Sequence, residues 1–311
     1  MHKPLVSVII PTYNQPLLLR EALDSVFAQT FKDFEIIIVN DGSTDDTLEQ
    51  LARYHDRVRI ITQENRGIGC ARNRGMDAAT GRYIAFLDHD DLWHPSKLEV
   101  QVAFMRAHTN CVGNSVPFAY SSSPNEIAFD LSIRSRDGIV PDPLQVLARG
   151  EIFLYPSALL IDRQLAGDLR FETSRQCFED LTFQLRLLGR GQFGLAGDTI
   201  LVTYRMHPGN TSKSPLHYEN GTRHLREMFR TGAFDPLSEP DYRAIEEFIS
   251  FFGRLTTVRL LKGGYKRRAL RNYCREFPHQ LRSRRVRFLL AVPLLWATPS
   301  FVLRQKWSGD T

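Results

Sequence analysis

Residues 83–95 read Tyr83-Ile84-Ala85-Phe86-Leu87-Asp88-His89-Asp90-Asp91-Leu92-Trp93-His94-Pro95. The apolar run from Tyr83 to Leu87, entered through Gly81, has the length and continuity of a strand buried on both faces, as in parallel sheets. Three carboxylates, Asp88, Asp90 and Asp91, follow it directly. In open α/β sheets ligands gather at the carboxyl ends of strands, where these acids sit. Their mutual repulsion is costly unless a cation neutralises them. Hard oxygen ligands at close quarters suit Mg²⁺ or Mn²⁺ shared with a substrate phosphate. The alternative is an acidic turn capping the helix that begins near Pro95, because Asp is a favoured N-cap. This stretch alone leaves both readings open.

Upstream, strands and helices alternate. Leu5 to Ile10 form a first strand, broken by Pro11-Thr12-Tyr13-Asn14. A helix starts near Pro16, with Leu19, Leu23, Val26 and Phe27 as its buried face. Phe34 to Val39 form a second strand, ending in Asn40-Asp41-Gly42-Ser43. Ser43 followed by Asp46 predicts a capping-box-like start for a helix through Tyr54. Val58 to Ile61 make a third strand. The loop Asn65-Arg66-Gly67-Ile68-Gly69 then enters a helix that carries Arg72 and Asn73 and stops near Gly81. Such alternation predicts right-handed βαβ units on a parallel sheet. Strand ends would bring Tyr13, Asp41 and the acid cluster to one edge, where they can line one nucleotide pocket. Asp41 in Asn-Asp-Gly-Ser also reads as a plain turn former. No GxGxxG follows the first strand and no GxxxxGK[ST] occurs, which weakens the dinucleotide and P-loop readings.

Downstream, a helix spans Pro95–His108, and Cys111 to Tyr120 reads as a strand. Residues 126–150 carry no clear period. Ser157 to Ile161 and Thr199 to Tyr204 read as strands. Between them a helix opens at Glu179-Asp180, with Leu181, Leu185 and Leu188 on one face. First-turn acids are stabilised by the helix dipole, which accounts for that pair without any function. A polar loop, Arg205 to Ser212, follows the last strand, and beyond about residue 216 the chain reads as helical.

A chain of 311 residues with 42% apolar and 24% charged residues has an ordinary globular composition. Four scattered cysteines form no CxxC pair, which excludes the common zinc and redox spacings and fits a reducing compartment. Met1-His2-Lys3-Pro4 leads straight into a strand, without the pattern of a secretory signal. The net charge of +5 is segregated. Residues 254–306 hold fourteen Lys/Arg against the single acid Glu276, so with Asp310 set aside residues 1–253 carry −7. The apolar stretch from Phe288 to Leu303, with Pro293 and Pro299 inside it, is short for a span of about twenty residues. Its basic flanks, Trp296 and Trp307 suit a segment lying in a membrane interface over 282–307. A C-terminal core helix is the other reading. The basic tail carries no recognisable nucleic-acid-binding motif, so no nucleic acid is expected as partner.

Taken together, VSVIIPTYN, VNDGSTDDT, ARNRGMDAATGRYIAFLDHDDLW, FEDLTFQLRLL and YRMHPGNTS resemble glycosyltransferase family 2, in the family's order, over residues 5–213. The resemblance implies the GT-A fold, a Rossmann-like α/β domain with a mostly parallel sheet flanked by helices. A helical, basic C-terminal extension would follow it. The expected division is a nucleotide-sugar half at 1–110, an acceptor and catalytic half at 111–215, and the extension at 216–311. It also implies inverting sugar transfer from a nucleotide diphosphate donor, most often a UDP-sugar, with Mn²⁺ or Mg²⁺ as cofactor. The acceptor would be a glycan or a lipid-linked saccharide at the cytoplasmic face of the cell membrane.

By position, Pro11, Thr12 and Tyr13 match the loop against the donor base, and Asp41 the acid that hydrogen-bonds it. Arg72 and Asn73 match a helix start beside the donor. Asp88-His89-Asp90 corresponds to the DxD motif, with Asp90 as direct metal ligand and Asp88 on ribose or metal. Asp91 matches a further acid near the donor sugar, and His207 a loop histidine that approaches metal and diphosphate. Asp180 matches the catalytic base. Asp46 stands where many relatives have glycine. A nucleotidyltransferase and a catalytically inactive sugar-nucleotide-binding module are the competing readings. The first normally shows a glycine-rich basic loop that PTYNQP is not, and the second would have lost Asp88, Asp90, Asp180 or His207.

Overall fold

The computed structural model describes residues 3–122, 137–174, 178–207, 209–210, 214–234 and 238–282. The interfacial segment expected at 282–307 lies, apart from the backbone of Arg282, outside the described residues. The chain divides into two compact units, residues 1–175 with 179–207, and residues 176–178 with 208–311.

The first unit is built on an eight-stranded sheet. β1 (Val6–Thr12), β2 (Phe34–Asn40), β3 (Arg59–Thr62) and β4 (Tyr83–Phe86) pair in parallel in the order β3-β2-β1-β4. All seven residues of β1 are buried, as a strand covered on both faces requires. Helices α1 (Pro16–Phe27), α2 (Thr47–Ala52) and α3 (Ile68–Ala78) make the crossovers. α3 lies on β1 and β2. A Cβ at Gly75 would stand 2.4 Å from Ile9 Cγ2, so only glycine lets helix and strand come this close.

Beyond β4 the sheet becomes mixed. β9 (Leu159–Asp162) runs antiparallel to β4 and to β6 (Cys111–Ser115). β10 (Gln192–Leu195) is parallel to β6, and β8 (Ile139–Val140) closes the edge antiparallel to β10. The stretch expected as one strand over 111–120 is two. Pro117, which has no N–H to donate, follows β6, and β7 (Phe118–Tyr120) joins a second sheet with β11 (Val202–Tyr204) and β5 (Leu92–Trp93). α4 (Lys97–Ala107), α5 (Pro143–Ala148), α6 (Arg163–Ala166) and α7 (Glu179–Leu188) complete the unit.

The capping box expected at Ser43 and Asp46 is absent. α2 begins one residue after Asp46, whose side chain caps nothing, and Ser43 Oγ accepts instead from the Asn14 backbone N–H at 2.9 Å. Asn14 and Gln15 both adopt left-handed backbone, with φ of 52° and 81°. Three bonds from the neighbouring loop hold them there: the one to Ser43, Thr44 N–H to Asn14 Oδ1 at 2.9 Å, and Gln15 N–H to Asp45 Oδ2 at 3.1 Å.

In the second unit, α9 (Glu239–Lys262) packs against both α8 (Pro215–Arg230) and α10 (Lys266–Arg282). Ser238 caps α9 by accepting from Asp241 N–H at 3.3 Å. The interior is partly polar. Arg226 donates to the buried Glu276 at 2.6 Å, and Asn272 Nδ2 reaches Gly253 O and Thr257 Oγ1, both at 2.9 Å. Phe178 packs edge-on against His217, Tyr218 and Phe252. No helix among the described residues is long and apolar enough to cross a membrane.

Candidate active site

The carboxyl end of β4 delivers the acid cluster, and each acid meets a different partner. Asp88 Oδ1 accepts from Arg72 Nη2 at 2.7 Å, and its Oδ2 from the Tyr155 hydroxyl at 3.3 Å. Asp90 Oδ2 stands 2.8 Å from His207 Nε2, so a residue at the end of β4 and one just past β11 are brought together as expected. His89 Nδ1 lies 3.3 Å from Pro11 O, which ties the cluster to the first loop.

Asp91 is the most deeply buried of the three. It is buried, accepts from Ser157 Oγ at 2.6 Å and from the Arg205 backbone N–H at 3.2 Å. Burial raises its pKa well above the usual carboxylate range, and the charges of Asp88 and Asp90 push it further up. Ser157 is the hub of this layer. Its Oγ also accepts from the Asp88 N–H at 3.0 Å, and its carbonyl from Trp93 Nε1 at 2.8 Å. Arg205 completes the layer by donating to the Asp90 carbonyl, to Glu21 and to Leu18 O.

Arg72 is wholly buried and bridges two acid groups. Besides Asp88 it donates through Nη1 to Glu179 Oε1 at 3.1 Å. Burial works against its charge, but the carboxylates of Asp88 and Glu179 outweigh that and raise its pKa. Glu179 responds in the opposite sense. Burial, then the neighbouring Asp180 charge, lifts its pKa to about 7, against the pull of Arg72. Asp180 lies beside it in the first turn of α7, its Oδ1 accepting from the Leu181 N–H at 2.8 Å.

The nucleotide edge is also organised. Asp41 accepts from Gln63 Nε2 at 2.7 Å and from the backbone N–H groups of Arg66 at 2.9 Å and Gly67 at 2.8 Å. Gly67, at φ 93°, permits the turn that aims its N–H there. Tyr13 is exposed and Thr12 buried. Asn73 exchanges two bonds with the Phe171 backbone, at 2.9 and 2.8 Å, so its amide splints α3 to the connection between α6 and α7. Thr12 Oγ1, Asn40 Nδ2 and Arg72 Nε are buried with no hydrogen-bond partner.

Sequence reasoning placed Asp88, Asp90 and His207 together and missed Ser157, Tyr155 and Arg205. Arg205 sits two residues before His207, so its nearness was visible, but its grip on Asp90 and Asp91 depends on the fold.

Asp90 and His207, with Asp88 beside them, offer oxygen and imidazole nitrogen to a cation. Among the described residues no group of three or more His, Cys, Asp or Glu side chains is placed to hold a metal ion, so Asp90 and His207 are the pair on offer. Such an open donor set fits Mg²⁺ or Mn²⁺, which keep waters and share one or two carboxylates with substrate phosphates.

Residues 7–167 match the family model "Glycosyl transferase family 2". The putative teichuronic acid biosynthesis glycosyltransferase TuaG of Bacillus subtilis is 33% identical over 218 residues, which is 66% of this chain and 80% of that one. An uncharacterized glycosyltransferase of Rickettsia prowazekii is 44% identical over 110 residues, and the chain spans only 35% of its length. Among solved structures, the mannosyltransferase PcManGT from Pyrobaculum calidifontis, in complex with GDP-Man and Mn²⁺, superposes with a TM-score of 0.60 at 18% identity, covering 98% of this chain and 84% of that one. S. aureus TarS 1–349 in complex with UDP-GlcNAc gives 0.58 at 19%, over 89% of this chain and 91% of that one. At such identities the likeness concerns the fold, which is GT-A. The match of the family model over half the chain, which takes in Asp41, Arg72 and the acid cluster after β4, makes the chain a member of glycosyltransferase family 2.

Proposed function

We propose that the chain transfers a sugar from a nucleotide diphosphate donor to a hydroxyl of a glycan or lipid-linked saccharide, inverting the anomeric configuration. The observation that carries this reading is the Arg72 bridge, which joins the Asp88–Asp90 cluster to the Glu179–Asp180 pair within one site. The names of relatives support it. TuaG is named a putative teichuronic acid biosynthesis glycosyltransferase, and the solved neighbours hold UDP-GlcNAc and GDP-Man. A UDP-sugar is the donor we favour. The donor half is assigned to residues 1–110, the acceptor half to 111–215, and the chain to the cytoplasmic face of the cell membrane, which the basic sequence of 254–306 supports.

In this reading the donor lies along the carboxyl edge of β1, β2 and β4. Tyr13 covers the base and Asp41 receives a base N–H on lone pairs left beside its three present bonds. The buried, unpartnered Thr12 Oγ1, Asn40 Nδ2 and Arg72 Nε support a ligand there, since such atoms are costly until paired. Asp90 and His207 would hold the divalent cation, whose charge screens the departing diphosphate when it is bound, and Asp88 would face the ribose or the metal. Asp180 accepts the proton of the attacking hydroxyl. Glu179, with a pKa raised to about 7, is protonated in about half its population at pH 7 and so spares Asp180 a second full negative charge at close range. Arg72 holds Glu179 and Asp88 in register.

A thermal-shift screen of UDP-, GDP- and dTDP-sugars with and without Mn²⁺ tests the reading, because a ligand that binds only the folded chain raises its melting temperature. A shift by one nucleotide sugar that grows with Mn²⁺, followed by NMR of the product anomer, is the expected result. No shift with any of them, or a retained anomer, overturns it.

A further inference from the structure

α10 has a buried face of mixed character, packed within the second unit, and beside it an apolar stripe that is exposed. Ala269, Asn272, Tyr273, Glu276 and Gln280 point inward and are buried. At 100° per residue, Leu270, Cys274, Phe277 and Leu281 fall on an adjoining stripe about 60° wide. The three hydrophobic residues of that stripe are 43%, 40% and 59% exposed, and Cys274 is exposed as well. The helix thus buries a partly polar face and leaves its most continuous apolar stripe exposed.

The charges beside the stripe say what it faces. Arg267, Arg271 and Arg275 follow one another at i, i+4 and i+8 along its edge, and all three are exposed. The one acid of α10, Glu276, is buried and paired with Arg226, so no exposed carboxylate on the helix offsets this row. A second copy of the chain would present the same row of cations and be repelled by it. An anionic lipid surface answers both features, taking the apolar stripe into the headgroup boundary and the guanidinium groups onto the phosphates. The sequence beyond the helix, Arg284-Arg285-Val286-Arg287, continues the same sign.

We propose that α10 is a docking helix that lies on an anionic bilayer, with Leu270, Cys274, Phe277 and Leu281 inserted and Arg267, Arg271 and Arg275 on the phosphates. This rests on the membrane location proposed above but assigns it to a folded surface, independent of the 282–307 segment.

The test uses the full chain and vesicles of phosphatidylcholine alone or with about one-third phosphatidylglycerol. Wild-type protein should pellet with the anionic vesicles only. Each arginine near such a surface is worth about fivefold in partition, so Arg267→Gln, Arg271→Gln and Arg275→Gln together should lower it about a hundredfold. Phe277→Ser with Leu281→Ser should lower it at least about tenfold, with unchanged circular dichroism, since each removes an inserted apolar side chain. A Phe277→Trp reporter should shift its emission to the blue on adding vesicles. If wild type binds and these variants bind equally well, or the reporter does not shift, the docking helix is wrong while the membrane location stands on the tail. Wild type that never binds overturns both. Loss of self-association without loss of vesicle binding would make the occupant a second copy and overturn the proposal.

Discussion

Arg72 and Glu179, 107 residues apart in sequence, meet at 3.1 Å in the interior, with Asp180 next in the chain. In the proposed function this pairing occupies Glu179 and leaves Asp180 as the base. Asp180→Asn should keep donor binding and melt within about 2 °C of wild type, because Asn caps a helix adequately. Its transfer rate should fall roughly 10²–10⁴-fold. Glu179→Gln should be much milder, and single-turnover assays of both variants decide between them. If Glu179→Gln is the dead one, the base has been misplaced.

Glu179 also gives stability a pH dependence of definite sign. Its pKa is about 7 in the folded chain against an ordinary 4.5. Between these values the folded chain keeps a proton that the unfolded chain has released, so stability falls as pH rises from 4.5 to about 7. At about 1.4 kcal/mol per pKa unit the loss is on the order of 3 kcal/mol. Urea midpoints measured across this window should show the slope in wild type and a flatter one in Glu179→Gln.

The cation reading predicts a clean separation at Asp90, which faces His207 at 2.8 Å. Asp90→Ala should fold, lose transfer activity and lose the Mn²⁺-dependent part of nucleotide-diphosphate affinity in calorimetry. Full activity of wild type in excess EDTA would remove the cation from the reaction.

Lys97 is a buried cation with no role in the proposed chemistry. Its Nζ sits 3.7 Å from the Trp93 ring centroid and 3.4 Å from Leu159 O, and burial holds its pKa well below the usual lysine value. The folded chain therefore binds fewer protons than the unfolded one between that lowered pKa and 10.5, and stability rises with pH across the window. Lys97→Met should remove this rise and increase the melting temperature at neutral pH, by about 2–4 °C for each kcal/mol gained. A lower melting temperature would mean the contact with Trp93 outweighs the burial cost.

Much of the first unit was legible because its signals are local. β1, β2 and β4 announce themselves as continuous apolar runs, and the acids follow β4 in the same stretch. What escaped is what depends on distant partners. β5 is two residues long and exists only because β11 pairs with it. Arg72 looked like a helix-start residue, and nothing near it in sequence reveals that Asp88 and Glu179 enclose it. Glu179 and Asp180 read equally well as dipole-stabilising acids, since that local effect operates whether or not an arginine lies beneath one of them. Ser43 has the residue type of a cap but spends its oxygen on Asn14 in another loop.

That last contact bears on how specificity could be exchanged between relatives. The loop carrying Tyr13 has two non-glycine residues in left-handed backbone, tied by three hydrogen bonds to Ser43, Thr44 and Asp45. The two segments are expected to behave as a single transplantable cassette. In the proposed reading Tyr13 covers the base, so a chimera that imports residues 12–15 from a relative of different nucleotide preference should import residues 42–46 with them, and one built from either half should misplace the tyrosine it was meant to deliver.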